Sequence, residues 1–296
     1  MSNCNVCPFS CGADRVSRLG RCRSSENIHI VRAAPHFWEE PCISGKNGSG
    51  TVFFSGCSLR CVFCQNSKIS RKDAGREFSV SEFADFLLAY SKSGVHNINL
   101  VTPTHFSAKI AEGLELVKEK LGIPVVWNCG GYEKKETLKR LSGLVDIYLA
   151  DSKFFSPEVS ARYAACPDYF EVNAGALEEM FFQQPENIYS DDGIMQKGVI
   201  VRHLVLPSHT SDSRRLLSAL KERFSENITL SLMCQYIPAG DAGKFPEINR
   251  RLRRKEFKTV TDFAESLGFE NGYVQEFSSA DDCFIPDFSE NKIYGI

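Results

Sequence analysis

The chain has 296 residues, 43% of them hydrophobic, which suits one α/β domain with an appendage or two small domains. Its net charge of −2 gives no sign of a nucleic-acid-binding protein, and no apolar stretch approaches the ~20 residues of a membrane span. The first residues lack the charged-then-apolar pattern of a signal peptide. We therefore expect a cytoplasmic protein with neither a membrane nor a nucleic-acid partner.

Cysteine is unusually frequent, with 12 residues, eight of which lie in the first 64 positions. A secreted disulfide scaffold would usually be shorter and poorer in aliphatic core. We therefore interpret the thiols as metal ligands or as buried apolar groups. The isolated cysteines at 129, 166, 234 and 283 are expected to be buried.

Residues 1–50 are rich in Cys, Gly, Ser and charge and have little periodicity, which predicts an irregular Cys-rich extension. From residue 51 to 296, apolar runs typical of strands alternate with segments of helical period. One predicted helix begins at Ser79 with a capping box completed by Glu82. The stretch 156–198 is expected to be helical in two pieces. The predicted strands are residues 51–54, 97–101, 123–127, 145–150, 199–206 and 228–232.

Six β-then-α units imply a parallel sheet with right-handed crossovers. Six units are too few for a closed eight-stranded barrel, so a curved, partly open barrel or a doubly wound sheet fits. In either fold the functional residues are expected at the carboxyl ends of the strands. The basic run 250–258 is interpreted as a solvated helix face.

The segment CSLRCVFCQN directly follows the first predicted strand and places Cys57, Cys61 and Cys64 at C-x3-C-x2-C spacing. Three thiolates on one loop can bind three corners of a cubane iron–sulfur cluster. The next cysteine is at 129, so one iron would stay free to bind a substrate. Structural zinc is the alternative, but zinc sites normally use two C-x2-C-type pairs and four ligands.

This loop resembles the cluster loop of radical S-adenosylmethionine enzymes, including the aromatic Phe63 before the last cysteine. The closer resemblance is to the pyruvate formate-lyase activating enzyme-like branch. It covers essentially the whole chain, through EEPCISGKNGSGTVFFSGC, HNINLVTPTH, GGYE, VDIYLADSK, VRHLVLP and LMCQY. The resemblance implies a partial (β/α)6 TIM-type barrel, a [4Fe–4S] cluster, and reductive cleavage of S-adenosylmethionine to a 5′-deoxyadenosyl radical.

The resemblance also implies a set of cofactor-binding residues at the strand ends. Asp151 and Lys153 resemble a D-x-K pair that binds ribose hydroxyls and the methionine carboxylate; the alternative is a strand-end salt bridge. Where the family commonly has Gly-Gly-Glu for the amino group, this chain has 102–105 (TPTH), which leaves backbone groups, Thr102 or Thr104 for that role. The remaining positions, which match polar or charged family positions near the cofactor, are Asn128, Arg202, Gln235 and Tyr236.

A second group of cysteines lies at C-x2-C-x3-C-x10-C spacing in the N-terminal extension, at Cys4, Cys7, Cys11 and Cys22. A segment with so few apolar residues needs a cross-link, such as a bound metal, to hold its fold. Four thiolates could hold structural zinc or an accessory [4Fe–4S] cluster, and unligated thiols are the alternative. Cys42 is a spare candidate that is expected to be buried.

Three functions compete. The first is an activating enzyme that installs a glycyl radical on a partner protein and receives electrons from a donor such as flavodoxin or ferredoxin. The second is a radical enzyme that modifies a small molecule or another peptide, which the missing Gly-Gly-Glu motif and the N-terminal cysteines favour. The third is a non-catalytic iron–sulfur or zinc protein, which the open coordination position argues against.

Overall fold

The computed structural model describes residues 4–224 and 228–277 together with residues 286, 288 and 293. Its strands are β1 (Ile28–His36), β2 (Ser49–Phe54), β3 (Arg76–Phe78), β4 (Ile98–Val101), β5 (Val125–Cys129), β6 (Ile147–Asp151), β7 (Ile188–Tyr189), β8 (Met195–Leu204), β9 (Thr229–Met233) and β10 (Gly272–Val274). Its α-helices are α1 (Pro41–Ser44), α2 (Ser67–Ser70), α3 (Val80–Ser91), α4 (Ser107–Val117), α5 (Lys135–Lys139), α6 (Pro157–Ala164), α7 (Tyr169–Gln183), α8 (Thr210–Phe224) and α9 (Arg254–Ser266).

The strands form one sheet in the order β10-β9-β8-β6-β5-β4-β2-β1-β3, with β7 beside β8. The strands from β2 through β10 along this path are parallel, and β1 pairs antiparallel with both β2 and β3. The path ends at β3 and β10, so the sheet is open on one side. The six predicted strands are confirmed as β2, β4, β5, β6, β8 and β9, and the partial barrel is the observed architecture.

The predicted start of the helix after β3 is also confirmed. The Ser79 side chain accepts from the Glu82 backbone N–H at 3.2 Å, and the Glu82 carboxylate accepts from the Ser79 N–H at 2.9 Å. This reciprocal cap satisfies two donors that would otherwise lack partners at the start of α3. The stretch 156–198 contains two helices, α6 and α7, as expected.

Alternate residues of the central strands pack on opposite faces of the sheet. Trp127 and Tyr148 are fully buried on the face covered by the long helices. On the other face, Val126 and Ile147 pack against Ile43 of α1. The short helix α1 therefore fills the inside of the barrel near the amino ends of the strands and leaves the carboxyl ends open.

The main difference from the sequence prediction is β1, which lies in the segment predicted to be irregular. It pairs with β2 from Ile30 opposite Phe54 to His36 opposite Ser49, and the register shifts between Ile30 and Arg32. Such a bulge breaks the two-residue alternation by which strands are recognised in a sequence. The division of the chain at residue 50 stays a prediction, and the sheet continues across it.

Residues 4–24 contain no helix or strand and are held by turns and by contacts with the barrel. Cys4 N–H donates to the Ala13 carbonyl at 3.1 Å, and the Phe9 ring packs on the Tyr132 ring at 5.1 Å. The Thr137 hydroxyl donates to the carbonyl of Val6 at 2.7 Å. These contacts fix the segment against the loops that follow β5.

Candidate functional site

The cluster loop, residues 57–66, begins directly beyond the carboxyl end of β2. Gly56 leads into it with a φ of 77°, a conformation that favours glycine. The N–H of Cys57 donates to the Cys22 carbonyl at 3.0 Å, and the N–H of Val62 donates to the Tyr163 carbonyl at 2.8 Å. The loop is therefore fixed on one side by the N-terminal segment and on the other by α6.

A cavity of about 240 Å³ lies where the carboxyl ends of the parallel strands meet the cluster loop. Ten of the predicted cluster-binding and cofactor-binding residues line it: Cys57, Cys61, Phe63, Cys64, Thr102, Thr104, Asn128, Asp151, Lys153 and Arg202. Gln235 also lines the cavity, whereas Tyr236 packs behind Phe63 with ring centroids 5.8 Å apart. The fold thus collects these residues in one place, and their individual roles stay predictions.

The loop cysteines are partly buried, and their thiols lie close enough to affect one another. Burial raises the pKa of Cys57 well above its usual range, and charge on Cys64 and Cys61 adds to this rise. Burial also raises the pKa of Cys61 to about 12, while the nearby Lys153 ammonium opposes the rise. Because metals bind thiolates, occupation of this site would release protons from these thiols.

Arg202 is at the centre of a buried charge network below the cluster loop. Its Nε donates to Asp151 Oδ1 at 2.9 Å, its Nη1 to Glu39 Oε2 at 3.0 Å, and its Nη2 to Asn128 Oδ1 at 2.6 Å. Lys153 forms an ion pair with the other oxygen of Asp151. Burial disfavours the charge on Asp151, but Arg202 and Lys153 outweigh it and hold its pKa below the usual range.

Asp151 and Lys153 therefore do form the strand-end salt bridge that was the alternative to a ligand-binding role. Both line the cavity as well, so pairing does not remove them from contact with a ligand. Their side chains are only 14% and 17% exposed, which makes the pair less screened by water than a surface salt bridge.

The loop after β4 departs from regular geometry. Thr102 has a φ of 60°, which is uncommon for a β-branched residue and typical of functional loops. The Thr104 hydroxyl donates to Glu133 at 2.6 Å, and burial raises the pKa of Glu133 to about 7. His105 is buried and donates from Nε2 to the Ser55 carbonyl at 2.7 Å, so it supports the end of β2.

Sequence reasoning missed two carboxylates in the cavity wall, Glu39 and Glu133. Glu39 precedes α1 and accepts from the side-chain amides of Asn99 at 3.2 Å and Asn128 at 3.1 Å, in addition to Arg202. The available signal was an acidic pair inside the apolar segment HFWEEP. The aromatic residues of that segment, Phe37 and Trp38, are exposed, whereas the Glu39 side chain is only 12% exposed and needs a charged partner.

The N-terminal cysteine segment, residues 4–22, lies outside the cavity. Cys7 and Cys22 are buried, Cys4 is partly buried and Cys11 is exposed. Burial raises the pKa of Cys7 to about 11, and charge on Cys22 and Cys4 contributes, so these thiols are neighbours. Within the described residues, no three His, Cys, Asp or Glu side chains are placed to hold a single metal ion. Metal binding by this segment stays a prediction.

The other cysteines agree with expectation where the structure describes them. Cys42, Cys129, Cys166 and Cys234 are buried, and Cys283 lies outside the described residues. Cys129 lines the cavity, and burial, followed by charge on Glu133, raises its pKa well above the usual range. Cys166 is close enough to Cys61 for each charge to affect the other. It is the additional thiol to test in experiments on the cluster loop.

The part of the chain that carries the cluster loop resembles a known protein family. The profile of the radical SAM superfamily matches residues 51–171, which include the cluster loop and strands β2 to β6. This segment of the chain resembles the radical SAM superfamily. The match indicates a [4Fe–4S] cluster and S-adenosylmethionine as the groups to compare with the residues of this cavity.

Individual relatives are more distant. An uncharacterized protein of Methanocaldococcus jannaschii is 29% identical over 277 residues, which is 90% of this chain and 76% of that protein. The pyruvate formate-lyase-activating enzyme of Listeria monocytogenes is 24% identical over 175 residues, 56% of this chain and 65% of that enzyme. Similarity to the activating-enzyme branch is thus present but weaker than the superfamily match.

The solved structure of Streptococcus suis SuiB bound to S-adenosylmethionine superposes with a TM-score of 0.51 at 14% identity. The alignment covers 75% of this chain and 49% of SuiB, so the chain spans about half the length of that protein. This likeness supports the partial-barrel fold. Within the described residues, no helix combines the length and apolar composition needed to cross a membrane. The cytoplasmic location stays a prediction.

The residues around the cavity fit the groups that the family implies. Three mutually close thiols lie on one wall, and the Lys153 ammonium lies near enough to Cys61 to favour its thiolate form. The opposite wall carries the strand-end amide, carboxylate and guanidinium groups of Asn128, Asp151 and Arg202. Sulfur ligands beside polar groups that can orient an amino acid and a nucleoside are the donor set that a cluster with S-adenosylmethionine requires.

Proposed function

We propose that Cys57, Cys61 and Cys64 bind a [4Fe–4S] cluster and that the adjoining cavity binds S-adenosylmethionine. The observation that carries this proposal is the convergence of three loop thiols and seven strand-end or loop residues on one cavity within a radical SAM fold. When bound, the cluster supplies the electron that cleaves the sulfur–C5′ bond and so yields the 5′-deoxyadenosyl radical.

The task of the protein is to orient the cofactor and to keep water away. Lys153 and Arg202 offer cations to its carboxylate and Asp151 offers an acceptor to its ribose, while the Arg202 network fixes all three side chains in place. Phe63 is 6% exposed and packs edge-on against Phe154 and Tyr236 behind the loop. This apolar wall protects a reactive radical from solvent.

We further propose that the radical is passed to a glycyl-radical enzyme, so that the chain acts as an activating oxidoreductase. The similarity to the Listeria monocytogenes enzyme supports this choice. The sheet is open between β3 and β10, and in this proposal a polypeptide loop of the partner enters there. A glycine residue suits this role because it has no side chain, so the cavity needs no side-chain pocket to receive its Cα–H group.

The second candidate is a radical enzyme that modifies a small molecule or a different peptide. Two observations favour it. The match to the activating enzyme leaves 44% of this chain uncovered, given that it covers 56%. In addition, the loop after β4 has Thr102 to His105 in place of a Gly-Gly-Glu motif.

The test is anaerobic reconstitution with iron and sulfide, followed by S-adenosylmethionine, dithionite and the glycyl-radical enzyme encoded nearest to this chain's gene. The expected results are 5′-deoxyadenosine and a glycyl-radical doublet in the electron paramagnetic resonance spectrum. Formation of 5′-deoxyadenosine without that doublet would reject the activating role and favour the second candidate. No 5′-deoxyadenosine with an intact cluster would reject the cleavage activity itself.

A further inference from the structure

The N-terminal cysteine segment turns back on itself between residues 4 and 13 and brings two of its cysteines together. The N–H of Cys4 donates to the Ala13 carbonyl at 3.1 Å, and the N–H of Gly12 donates to the Cys4 carbonyl at 3.0 Å. Gly12 has a φ of 62°, a conformation that favours glycine and allows the chain to return to Cys4. Cys11, the residue before this glycine, therefore lies beside Cys4.

Cys11 differs from the other cysteines in its exposure to solvent. It is the one exposed thiol among the cysteines that the structure describes, whereas Cys7 and Cys22 in the same segment are buried. Burial raises the pKa of Cys7 to about 11 and also raises the pKa of Cys22. Buried thiols with a raised pKa react slowly, because the thiolate is the nucleophile. An oxidant in the solvent therefore meets Cys11 first.

The groups around Cys11 favour its reactive thiolate form. Partial burial opposes a charge on Cys11, but the backbone N–H groups of Arg21 and Ala13 donate to its sulfur and lower its pKa. The Cys4 thiol donates to the same sulfur and lowers the pKa further. This hydrogen bond shows that the side chains of Cys4 and Cys11 point toward each other. A disulfide requires that orientation, because it cannot join two thiols that point apart.

Two thiols of the segment meet as a pair, whereas a metal site needs more ligands at one point. Residues 4–22 are all described, and no three His, Cys, Asp or Glu side chains among them are placed around a single metal ion. A structural zinc site normally uses four ligands. A disulfide needs only Cys4 and Cys11, which are already joined by a hydrogen bond. Metal binding and a disulfide are therefore alternative states, since the disulfide leaves only two of the four predicted ligands.

We propose that Cys11 and Cys4 form a peroxide-sensitive thiol pair, in which Cys11 is oxidised first and Cys4 then closes a disulfide. In the first step the Cys11 sulfur attacks one oxygen of hydrogen peroxide and the O–O bond breaks. The other oxygen takes up the thiol proton, so a sulfenic acid and water form. In the second step the Cys4 sulfur displaces the hydroxyl of the sulfenic acid, which leaves as a second water. Two thiols are oxidised and one peroxide is reduced.

The pair is connected to the cluster loop through Arg21. The Arg21 N–H donates to Cys11, and the Arg21 carbonyl accepts from Nη2 of Arg60, within the loop, at 2.9 Å. An oxidant that reaches the outer side of the loop therefore meets the exposed Cys11 before the partly buried loop thiols. The inference goes beyond the proposed function and does not depend on it, because neither oxidation step uses the cluster or S-adenosylmethionine.

The test is a short anaerobic pulse of one molar equivalent of hydrogen peroxide on the reconstituted chain, followed by alkylation and mass spectrometry. Trypsin releases residues 1–15 as one peptide, which contains Cys4, Cys7 and Cys11. In wild type this peptide should lose two hydrogens and carry the alkyl label on Cys7 alone. In Cys4→Ser the sulfenic acid at Cys11 should persist and be captured by dimedone. Cys11→Ser should give neither product, and the matched control Cys7→Ser should form the disulfide at the wild-type rate.

The rate of modification distinguishes this pair from general thiol oxidation. Cys11 should react about tenfold faster than Cys7 or Cys22, because it is exposed and its thiolate is favoured. Three results would overturn the proposal: alkyl label on all three cysteines of the peptide after the pulse, a disulfide that includes Cys7, or oxidation of Cys7 as fast as that of Cys11. The wild-type peptide alone decides among these results, so the test holds even where a variant misfolds.

Discussion

The cluster loop and the N-terminal cysteine segment both gather thiols, but the fold places them in different surroundings. The loop follows a buried central strand and faces a cavity lined by charged strand-end residues. The N-terminal segment contains no regular structure and lies behind the cavity wall, where Phe9 packs on Tyr132. Thiol spacing alone indicates that both could bind metal. The surroundings indicate that only the loop offers a bound metal an open face toward a ligand.

The two regions are also physically joined. The Cys22 carbonyl accepts from the Cys57 N–H at 3.0 Å, and the Ser24 hydroxyl donates to the Ser55 carbonyl at 3.2 Å. The N-terminal segment thus supports the loop from outside while the barrel presents it from inside. This arrangement predicts that damage to the loop abolishes chemistry, that damage to the junction weakens both regions, and that damage to the N-terminal thiols affects mainly stability.

The largest effect is expected from the loop thiols. Replacing Cys57, Cys61 or Cys64 with Ala should abolish reductive cleavage, because two thiolates cannot hold the cluster in the orientation that cleavage needs. The measurement is 5′-deoxyadenosine formed with dithionite after anaerobic reconstitution. Cys166→Ala is the matched control, since this thiol is buried near Cys61 and should leave cleavage intact. Retained cleavage in any loop variant would refute the ligand assignment.

The next largest effect is expected at the junction. A Cβ at Gly56 would lie 2.0 Å from Ser24 Oγ and 2.5 Å from the Cys22 carbonyl oxygen, at a φ of +77°. Gly56→Ala should therefore cost about 3 kcal/mol of unfolding free energy and lower the iron content. Gly143→Ala is the control, because its φ is +78° and its Cβ would meet nothing within 4 Å.

The difference in unfolding free energy between Gly56→Ala and Gly143→Ala measures the steric clash, because the two residues have nearly the same φ and so the same backbone strain. Strain alone should cost about 1 kcal/mol. Equal destabilisation by the two substitutions would show that the N-terminal segment does not press on the loop, and the joint support of the cluster loop would be disproved.

A smaller effect is expected at Lys153. Lys153→Ala should weaken S-adenosylmethionine binding about tenfold, or ~1.4 kcal/mol, by removing a cation from the cavity. Stability should fall by less than the ~3 kcal/mol expected for breaking an isolated buried pair, because Asp151 keeps its ion pair with Arg202. Equilibrium binding and thermal unfolding separate the two. Lys135→Ala, which breaks an ion pair with Glu178 outside the cavity, should leave affinity unchanged. Unchanged affinity with a large loss of stability would make Lys153 purely structural.

The sequence was sufficient for the parts of the fold and site that depend on local pattern. Apolar runs alternating with helical periods predict the six parallel strands, and chain order then brings the residues at their carboxyl ends together. This reasoning places Asp151, Lys153 and Cys57 at the strand ends, and the family resemblance then assigns their roles. Strand β1 was not, because its bulge interrupts the alternation.

Contacts made by residues outside the periodic sequence patterns could not be predicted either. Glu39 reaches Arg202 across 163 positions of sequence, and Glu133 reaches Thr104 across 29. Both carboxylates lie in segments that carry the family resemblance, EEPCISGKNGSGTVFFSGC and GGYE, but neither belongs to a periodic pattern that would place it at the site. Only the three-dimensional path of the segment before α1 brings Glu39 into the barrel.

The smallest effect on chemistry is expected from the N-terminal thiols. We propose that these four cysteines bind a structural metal, because a segment with so little apolar content needs metal binding to supply its folding free energy. Changing Cys4 and Cys7 to Ser together should remove that metal and lower the thermal stability. Cleavage with dithionite should persist when expressed per intact central cluster.

A structural role is expected because a fourth thiolate closes the coordination sphere of the metal and leaves no position for a substrate. Zinc and iron content, the unfolding temperature and 5′-deoxyadenosine per cluster are measured for the double variant and for Cys234→Ser, a buried cysteine in the β9 region that should change no metal content. If the double variant failed only with a protein electron donor, the segment would be an electron relay. Unchanged zinc and iron would show that these thiols bind no metal, and the contacts of Val6, Phe9 and Cys22 with the barrel would then hold the segment unaided.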